Sequence, residues 1–412
     1  MRKVPKLRFK EFSDEWEEKE INKILIKEKS AMKIGPFGSQ LKKETFVDKS
    51  SFKVYGQENI FVKDFLIGDR YITKEHFEKL SSNEIKEGDF LISSMGTIGN
   101  TIIVPSNIEK GIMDSHIIRL RLEKNRINPL FLQNLFLLKT TQNKIKSLSV
   151  GGIMEGLSIG IIKELSFIIP YLQEQEKIAN FLSSIDKKIS LTEEKLELFR
   201  AYKRGVMQKI FSQELRFKDS EGNDYPEWEE RKLGEISEVK DGTHDSPKYV
   251  SNGFPLVTSK NVKNGKIDLN EVNYISKEDF DIINKRSKVS KGDILMGMIG
   301  TIGNLAIVDR EDFAIKNVAL IKEKSDLKNN FLIYLLQSYV FHKKIALLNE
   351  GGTQKFISLG NIRNLLFFIP TLEEQQKIAD FLSSIDSKIE SIEKELEGLK
   401  KFKKGLLQQM FV

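Results

Sequence analysis

The stretch Pro170-Tyr171-Leu172-Gln173-Glu174-Gln175-Glu176-Lys177-Ile178-Ala179-Asn180-Phe181-Leu182-Ser183-Ser184-Ile185-Asp186 returns as Pro370-Thr371-Leu372-Glu373-Glu374-Gln375-Gln376-Lys377-Ile378-Ala379-Asp380-Phe381-Leu382-Ser383-Ser384-Ile385-Asp386. The match continues through Lys203, Gly205, Gln208 and Phe211, answered by Lys403, Gly405, Gln408 and Phe411. Self-similarity at a fixed offset marks a chain built from repeated units. Upstream, Leu7-Arg8-Phe9-Lys10 with Glu15-Trp16-Glu17-Glu18 answers Leu215-Arg216-Phe217-Lys218 with Glu227-Trp228-Glu229-Glu230, and these are the only two tryptophans. Gly88-Asp89 leading to Met95-Gly96-Thr97-Ile98-Gly99-Asn100 answers Gly292-Asp293 leading to Ile299-Gly300-Thr301-Ile302-Gly303-Asn304, and Gly151-Gly152 answers Gly351-Gly352. The chain is two copies of one unit, a globe followed by a tail. Between these anchors, residues 30–85 and 240–285 resemble each other little.

Both tails read as helices. Ile178, Leu182, Ile185, Ile189, Leu196, Phe199, Val206 and Ile210 keep four-three spacing, with Thr192 and Lys203 in the remaining places. The second tail follows with Ile378, Leu382, Ile385, Ile389, Ile392, Leu396, Leu399, Leu406 and Met410. A single-seam amphipathic helix of this length needs a partner, and its own copy is at hand. The first globe precedes helix 174–211 and the second begins at Leu215, so connectivity puts the globes at opposite ends of that helix. The expectation is an antiparallel coiled coil with an internal pseudo-two-fold axis and a rod of roughly 50 Å at about 1.5 Å per residue. The globes read as mixed α and β, with strands such as Asp89 to Ser93 and Asn100 to Val104 and a helix from Pro129 to Lys146 matched by Asn329 to Leu348. The expected class is α+β: mixed globular domains at 1–170 and 213–370, long helices at 171–212 and 371–412.

The 412 residues, 40% of them apolar, fit two or three globular domains. Zero cysteines exclude a disulfide scaffold, a thiolate zinc site and a cysteine nucleophile, and suit a reducing compartment. No apolar run approaches the roughly 20 residues of a membrane span, and Met1-Arg2-Lys3-Val4-Pro5-Lys6 lacks a signal-peptide core. A cytoplasmic protein without a membrane partner is expected. Up to Ser212 there are 36 basic and 28 acidic residues, a net +8; after it there are 30 and 31, a net −1. The basic excess is local and compatible with nucleic acid.

No phosphate-cradling loop occurs, and the Gly297, Gly300, Gly303 run reads as a turn between strands. Asn128-Pro129-Leu130-Phe131 falls one residue short of an amino-methyltransferase motif and reads as a helix start. His76, His116, His244 and His342 lack metal-ligand spacing, so no metal site is expected. The duplicated carboxylates Asp89 with Asp293 and Glu174 with Glu374 fall at a turn and a helix start, where acidic residues have structural reasons to be. No catalytic residue is expected in a binding protein of this kind.

With these residues in view, the chain resembles the specificity subunit of type I restriction-modification enzymes. The resemblance rests on the duplicated segment at 173–186, the paired Glu-Trp elements, the Gly-Thr-Ile-Gly segments, Gly35-Pro36-Phe37-Gly38-Ser39-Gln40-Leu41-Lys42-Lys43, and Asp241-Gly242-Thr243-His244. It implies that each globe reads one half of a split site in double-stranded DNA. It also implies that the helices bind two modification (methyltransferase) subunits, to which restriction subunits attach. S-adenosylmethionine, ATP and magnesium would then sit on the partners, with no cofactor in this chain. The coiled-coil and partner interface would use Ile178, Leu182, Ile185, Ile189, Leu196, Phe199, Ile378, Leu382, Ile385, Ile389, Leu396 and Leu399.

Within the globes, Gly35, Gly38, Ser39, Gln40, Lys42 and Lys43 offer backbone amides, a hydroxyl, an amide able to pair with adenine, and cations for phosphate. Thr243, His244 and Lys248, then Ser259, Lys260 and Asn261, have the same polar and basic character. Thr97, Asn100, Thr301 and Asn304 are duplicated, which suits the frame or a backbone contact better than base choice. Two other readings are a coiled-coil scaffold without base readout and a self-contained DNA methyltransferase or nuclease. A gel shift and a methyl-transfer assay separate them.

Overall fold

A computed structural model describes residues 4–149, 156–263, 265–300, 302–348 and 356–412. Thr301 and both Gly-Gly pairs lie outside the described residues. The chain divides into two units, Met1–Glu193 with Glu395–Val412, and Glu194–Lys394. The division cuts both long helices, Leu172–Phe211 and Leu372–Gln409, so each unit owns the start of one and the end of the other.

In the first unit, Glu17–Glu20 pairs antiparallel with Ser166–Ile169, the strand leading into the central helix. An antiparallel sheet runs in the order Met32–Ile34, Ile117–Leu120, Phe90–Ser93, Thr101–Ile103. A second sheet runs Phe46–Val47, Tyr71–Ile72, Lys53–Tyr55, Gly111–Met113, its last pairing parallel. The second unit has the same plan: Glu229–Lys232 with Leu366–Ile369, then Glu238–Asp241, Val318–Lys322, Ile294–Gly297, Leu305–Ile307, and a mixed sheet of Tyr249–Val250, Asn273–Ile275, Phe254–Thr258, Ala314–Lys316. The dissimilar segments 30–85 and 240–285 therefore share the strand order of this mixed sheet, to which the second adds an antiparallel pair, Val262–Lys263 with Lys266–Ile267. The shared strands alternate too briefly, over two to five residues, for their pattern to survive divergence.

Two helices expected to be continuous are broken. Pro129–Leu137 gives way to Lys139–Ser149 at Leu138, and Asn329–Gln337 to Tyr339–Leu348 at Ser338. Leu138 and Ser338 have extended ψ angles of 137° and 160°. The Ser338 hydroxyl accepts the Phe341 amide, capping the following helix. Of the glycine run, Gly297 ends a strand, while Gly300 and Gly303, like Gly96 and Gly99 in the first unit, follow at positive φ. Asn128 caps its helix by accepting the Phe131 amide at 3.0 Å.

The first unit's core gathers Trp16, Phe90, Phe131 and Phe136 with Ile178, Leu182 and Ile185 from the central helix, Leu406 from the C-terminal one, and Met410 and Phe411 just past its end. In the second, Trp228, Phe331 and Phe341 meet Ile378, Leu382 and Ile385 with Val206, Met207, Ile210 and Phe211. The early seam positions thus pack into a globe's core as well as against a helix. Leu196 is buried, and Ile189, Phe199, Ile389, Leu396 and Leu399 are half-buried. Within the first unit Lys403 pairs with Asp186 and Lys400 with Glu193 at 2.6 Å, an antiparallel order. Within the second, Lys203 meets Asp386 at 2.6 Å and Arg200 meets Glu393, the same pairs with the helices exchanged. No single helix among the described residues is long and apolar enough to cross a membrane.

Candidate nucleic-acid interface

The duplicated helix start is a clamp. Arg8 donates to both carboxylate oxygens of Glu174 at 2.8 and 2.7 Å, and Arg216 does the same to Glu374 at 2.9 Å each. Both glutamates are buried. These hydrogen bonds hold the Arg8 and Arg216 guanidinium groups above their ordinary pKa. Phe9 and Phe217, next in sequence, stand edge-on to Phe181 and Phe381. Gln175 accepts the Asn128 amide and donates to Arg126 and Pro170 carbonyls; Gln375 accepts the Lys328 amide and donates to Asp326 and Pro370. Asp89 and Asp293 accept the Lys86 and Ser290 amides and face Arg121 and Lys322. The repeated carboxylates are thus tied up in holding each globe to its helix and closing its turns.

The variable surface begins at a glycine crossing in each unit. The Gly35 amide donates to Ile117, and a Cβ there would lie 1.8 Å from the Asp114 carbonyl oxygen, so only glycine passes. Gly242 repeats the crossing, donating to Val318, with a Cβ at 2.2 Å from the Ile315 carbonyl oxygen. Beyond Gly35 the chain turns outward, leaving Phe37, Gly38, Ser39, Gln40, Lys42 and Lys43 exposed. Its backbone is braced: the Gln40 amide donates to Phe37, the Gln40 carbonyl accepts from His76 Nε2 at 2.8 Å, and Lys42 accepts from Thr45. Nearby, buried Asp114 takes both Arg70 Nη atoms at 3.1 Å, and Arg70 also reaches Glu58 at 2.6 Å. Burial raises the Asp114 pKa against the opposing pull of the His116 amide and Arg70.

In the second globe Thr243, held through its amide and hydroxyl, leads into exposed His244, Asp245, Ser246 and Lys248. His244 sits between two acceptors: Nδ1 faces Asn317 Oδ1 at 2.8 Å, and Nε2 faces Asp241 Oδ2 at 2.7 Å. With an oxygen against each ring nitrogen the doubly protonated ring is favoured, and the His244 pKa rises, Asn317 contributing most and Asp241 next. Arg286 takes the other oxygen of buried Asp241. Lys316 reaches Ser246 at 2.7 Å.

Other expected contact residues belong to the frame. Ser259 is buried and donates to the Asn317 carbonyl while accepting the Met298 amide. Buried Asn261 accepts from Thr258 and donates to Asp268 and Glu271 carbonyls; Asn59 does the same work in the first globe for Gly56, Asp64 and Ile67. An outward role for Ser259 and Asn261 gives way to holding the loop, whereas Lys260 between them is exposed. Asn100 donates to the Thr97 carbonyl inside its turn, and Asn304 to the Val262 carbonyl. Arg286, Asn317 and Arg70 went unread in the sequence, and Asp241 and His76 were named without their partners, because the contacts His76–Gln40, Arg70–Asp114, Arg286–Asp241 and His244–Asn317 span 36 to 73 residues without a motif.

A match to the family described as "Type I restriction modification DNA specificity domain" covers residues 13–198 and again 225–401. Over 349 residues the chain is 30% identical to the type I restriction enzyme MjaVIII specificity subunit of Methanocaldococcus jannaschii, covering 80% of each protein. It is 25% identical over 363 residues to the EcoBI specificity subunit of Escherichia coli, covering 81% of this chain and 75% of that one. The fold is similar to the crystal structure of a type I S subunit from M. genitalium, with a TM-score of 0.58, 17% identity and 99% of both chains covered.

Proposed function

This chain belongs to the type I restriction-modification DNA specificity family, and we propose that each of its two globes reads one half of a split duplex site. As a specificity subunit it recognises DNA sequence and works in a complex with other subunits. The observation that carries the two-part reading is the repeated glycine crossing, after which an exposed polar and basic loop leaves the same frame in both units with different side chains. A common frame with a divergent loop is what two different half-sites require.

The finer assignments are part of the same proposal. Two modification subunits bind the helical parts of the repeat and restriction subunits join through them. S-adenosylmethionine, ATP and magnesium reside on those partners, and the chain itself neither methylates nor cuts. The duplicated carboxylates support this, since salt bridges and turns already occupy them. The setting is the cytoplasm, which the absence of cysteine favours.

The test is methylation-sensitive sequencing of DNA from cells carrying the modification subunit with and without this chain. A split motif methylated only when the chain is present is the expected result. Methylation of an unsplit motif, or none that depends on the chain, would overturn the proposal.

A further inference from the structure

Between the Thr243 to Lys248 loop and the helix Lys277–Ser287 the second globe has a cavity of about 260 Å³, bordered by Thr243, Asp245, Ser246, Asp279, Ile282 and Arg286. The Arg286 side chain is 64% exposed, yet its position is fixed from behind. Asp241 is buried and its charge has to be matched, which Arg286 does at one oxygen and His244 at the other. Among the described residues this is the one hydrogen bond the Arg286 side chain makes, so most of its five N–H donors remain unused.

A guanidinium held at one edge and open at the other suits bidentate donation to O6 and N7 of guanine in the major groove. A phosphate at the same place would meet two like charges, Asp245 and Asp279, on the cavity wall. The edge of a G·C pair meets no such conflict, because a carboxylate accepts from the cytosine N4 amino group. The first globe makes no equivalent offer, since Arg70 is matched there by both Asp114 and Glu58. We propose that Arg286 and Asp245 read one G·C base pair of the second half-site, with Asp241 and His244 as positioning residues behind the guanidinium. This rests on the half-site reading above.

The test uses the full chain assembled with its modification subunits. Methylation is measured on duplexes carrying every single substitution of its own motif. The wild-type complex should prefer G·C at one second-half position by on the order of 10- to 100-fold. Arg286→Ala and Arg286→Gln should both erase that preference and leave the first half-site intact, which also reports that fold and assembly survive. Asp245→Asn should weaken the preference at the same position. Neither alanine nor glutamine supplies the cationic donors that O6 and N7 of guanine accept, so a G·C preference retained in Arg286→Gln, or activity lowered evenly at all positions, would overturn the assignment. A second half-site without any G·C pair would overturn it too. A wild-type complex lacking any split motif would instead sink the underlying reading.

Discussion

Arg216 and Glu374 show how much one residue pair carries in each repeat. Glu374 is fully buried, takes two hydrogen bonds from Arg216 and a third from Trp228 Nε1 at 3.0 Å. Arg216→Ala should leave that carboxylate uncompensated and destabilise the second unit by about 3 to 5 kcal/mol. Urea unfolding followed through Trp228 in a Trp16→Phe background measures it, and an unchanged midpoint would contradict the clamp. His244 gives a pH dependence of defined sign. Its folded pKa is raised, so its stabilising contribution is complete below about pH 6.5 and is lost as pH rises through the raised value. His244→Gln should therefore flatten the melting temperature of the second unit against pH above that point, and parallel profiles would exclude the network. In the first globe, Lys42→Ala with Lys43→Ala should weaken binding to all sequences and reduce its salt slope by up to about two units, whereas Gln40→Ala should relax one base position. Binding to single-base variants at two salt concentrations separates the two behaviours. The clamp was within reach of the sequence, because Arg8 and Glu174 were duplicated together as Arg216 and Glu374. The Arg286 to Asp241 contact was not, because nothing in a lone arginine 45 residues away announces its partner.

The long helices were the most legible elements. Four-three spacing over several heptads has one physical reading, and Leu172–Phe211 and Leu372–Gln409 are single helices whose early seam residues are buried. The sequence did not disclose that Ile178, Leu182 and Ile185 also serve a globe's core. Proline at Ile189 removes a helical hydrogen bond and clashes with the preceding turn, costing about 3 kcal/mol or more. The first unit should melt lower and partner subunits should fail to co-elute with the chain. Wild-type co-elution in Ile189→Pro would take this part of the helix out of the partner interface. The shorter helices were less legible: apolar periodicity runs through Leu138 and Ser338, and only their extended backbone shows the break.

For the whole molecule, the repeat assigns frame and choice to different residues. Paired strands, glycine crossings and helix clamps recur in both units, while the loops after Gly35 and Gly242 differ. The repeat itself could be read directly, because buried polar pairs tolerate few substitutions. The common topology under the divergent segments could not, since exposed loops and two-residue strands leave no lasting pattern. If each globe serves one half-site, exchanging residues 1–170 for the matching region of a relative with a different motif should change one half of the methylated sequence only. The most direct measurement is the methylated motif of that chimaera in complex with the modification subunit. One new half-site beside one unchanged half-site, at the original spacing, is the predicted result; two altered halves, or two unaltered ones, would contradict the division of labour.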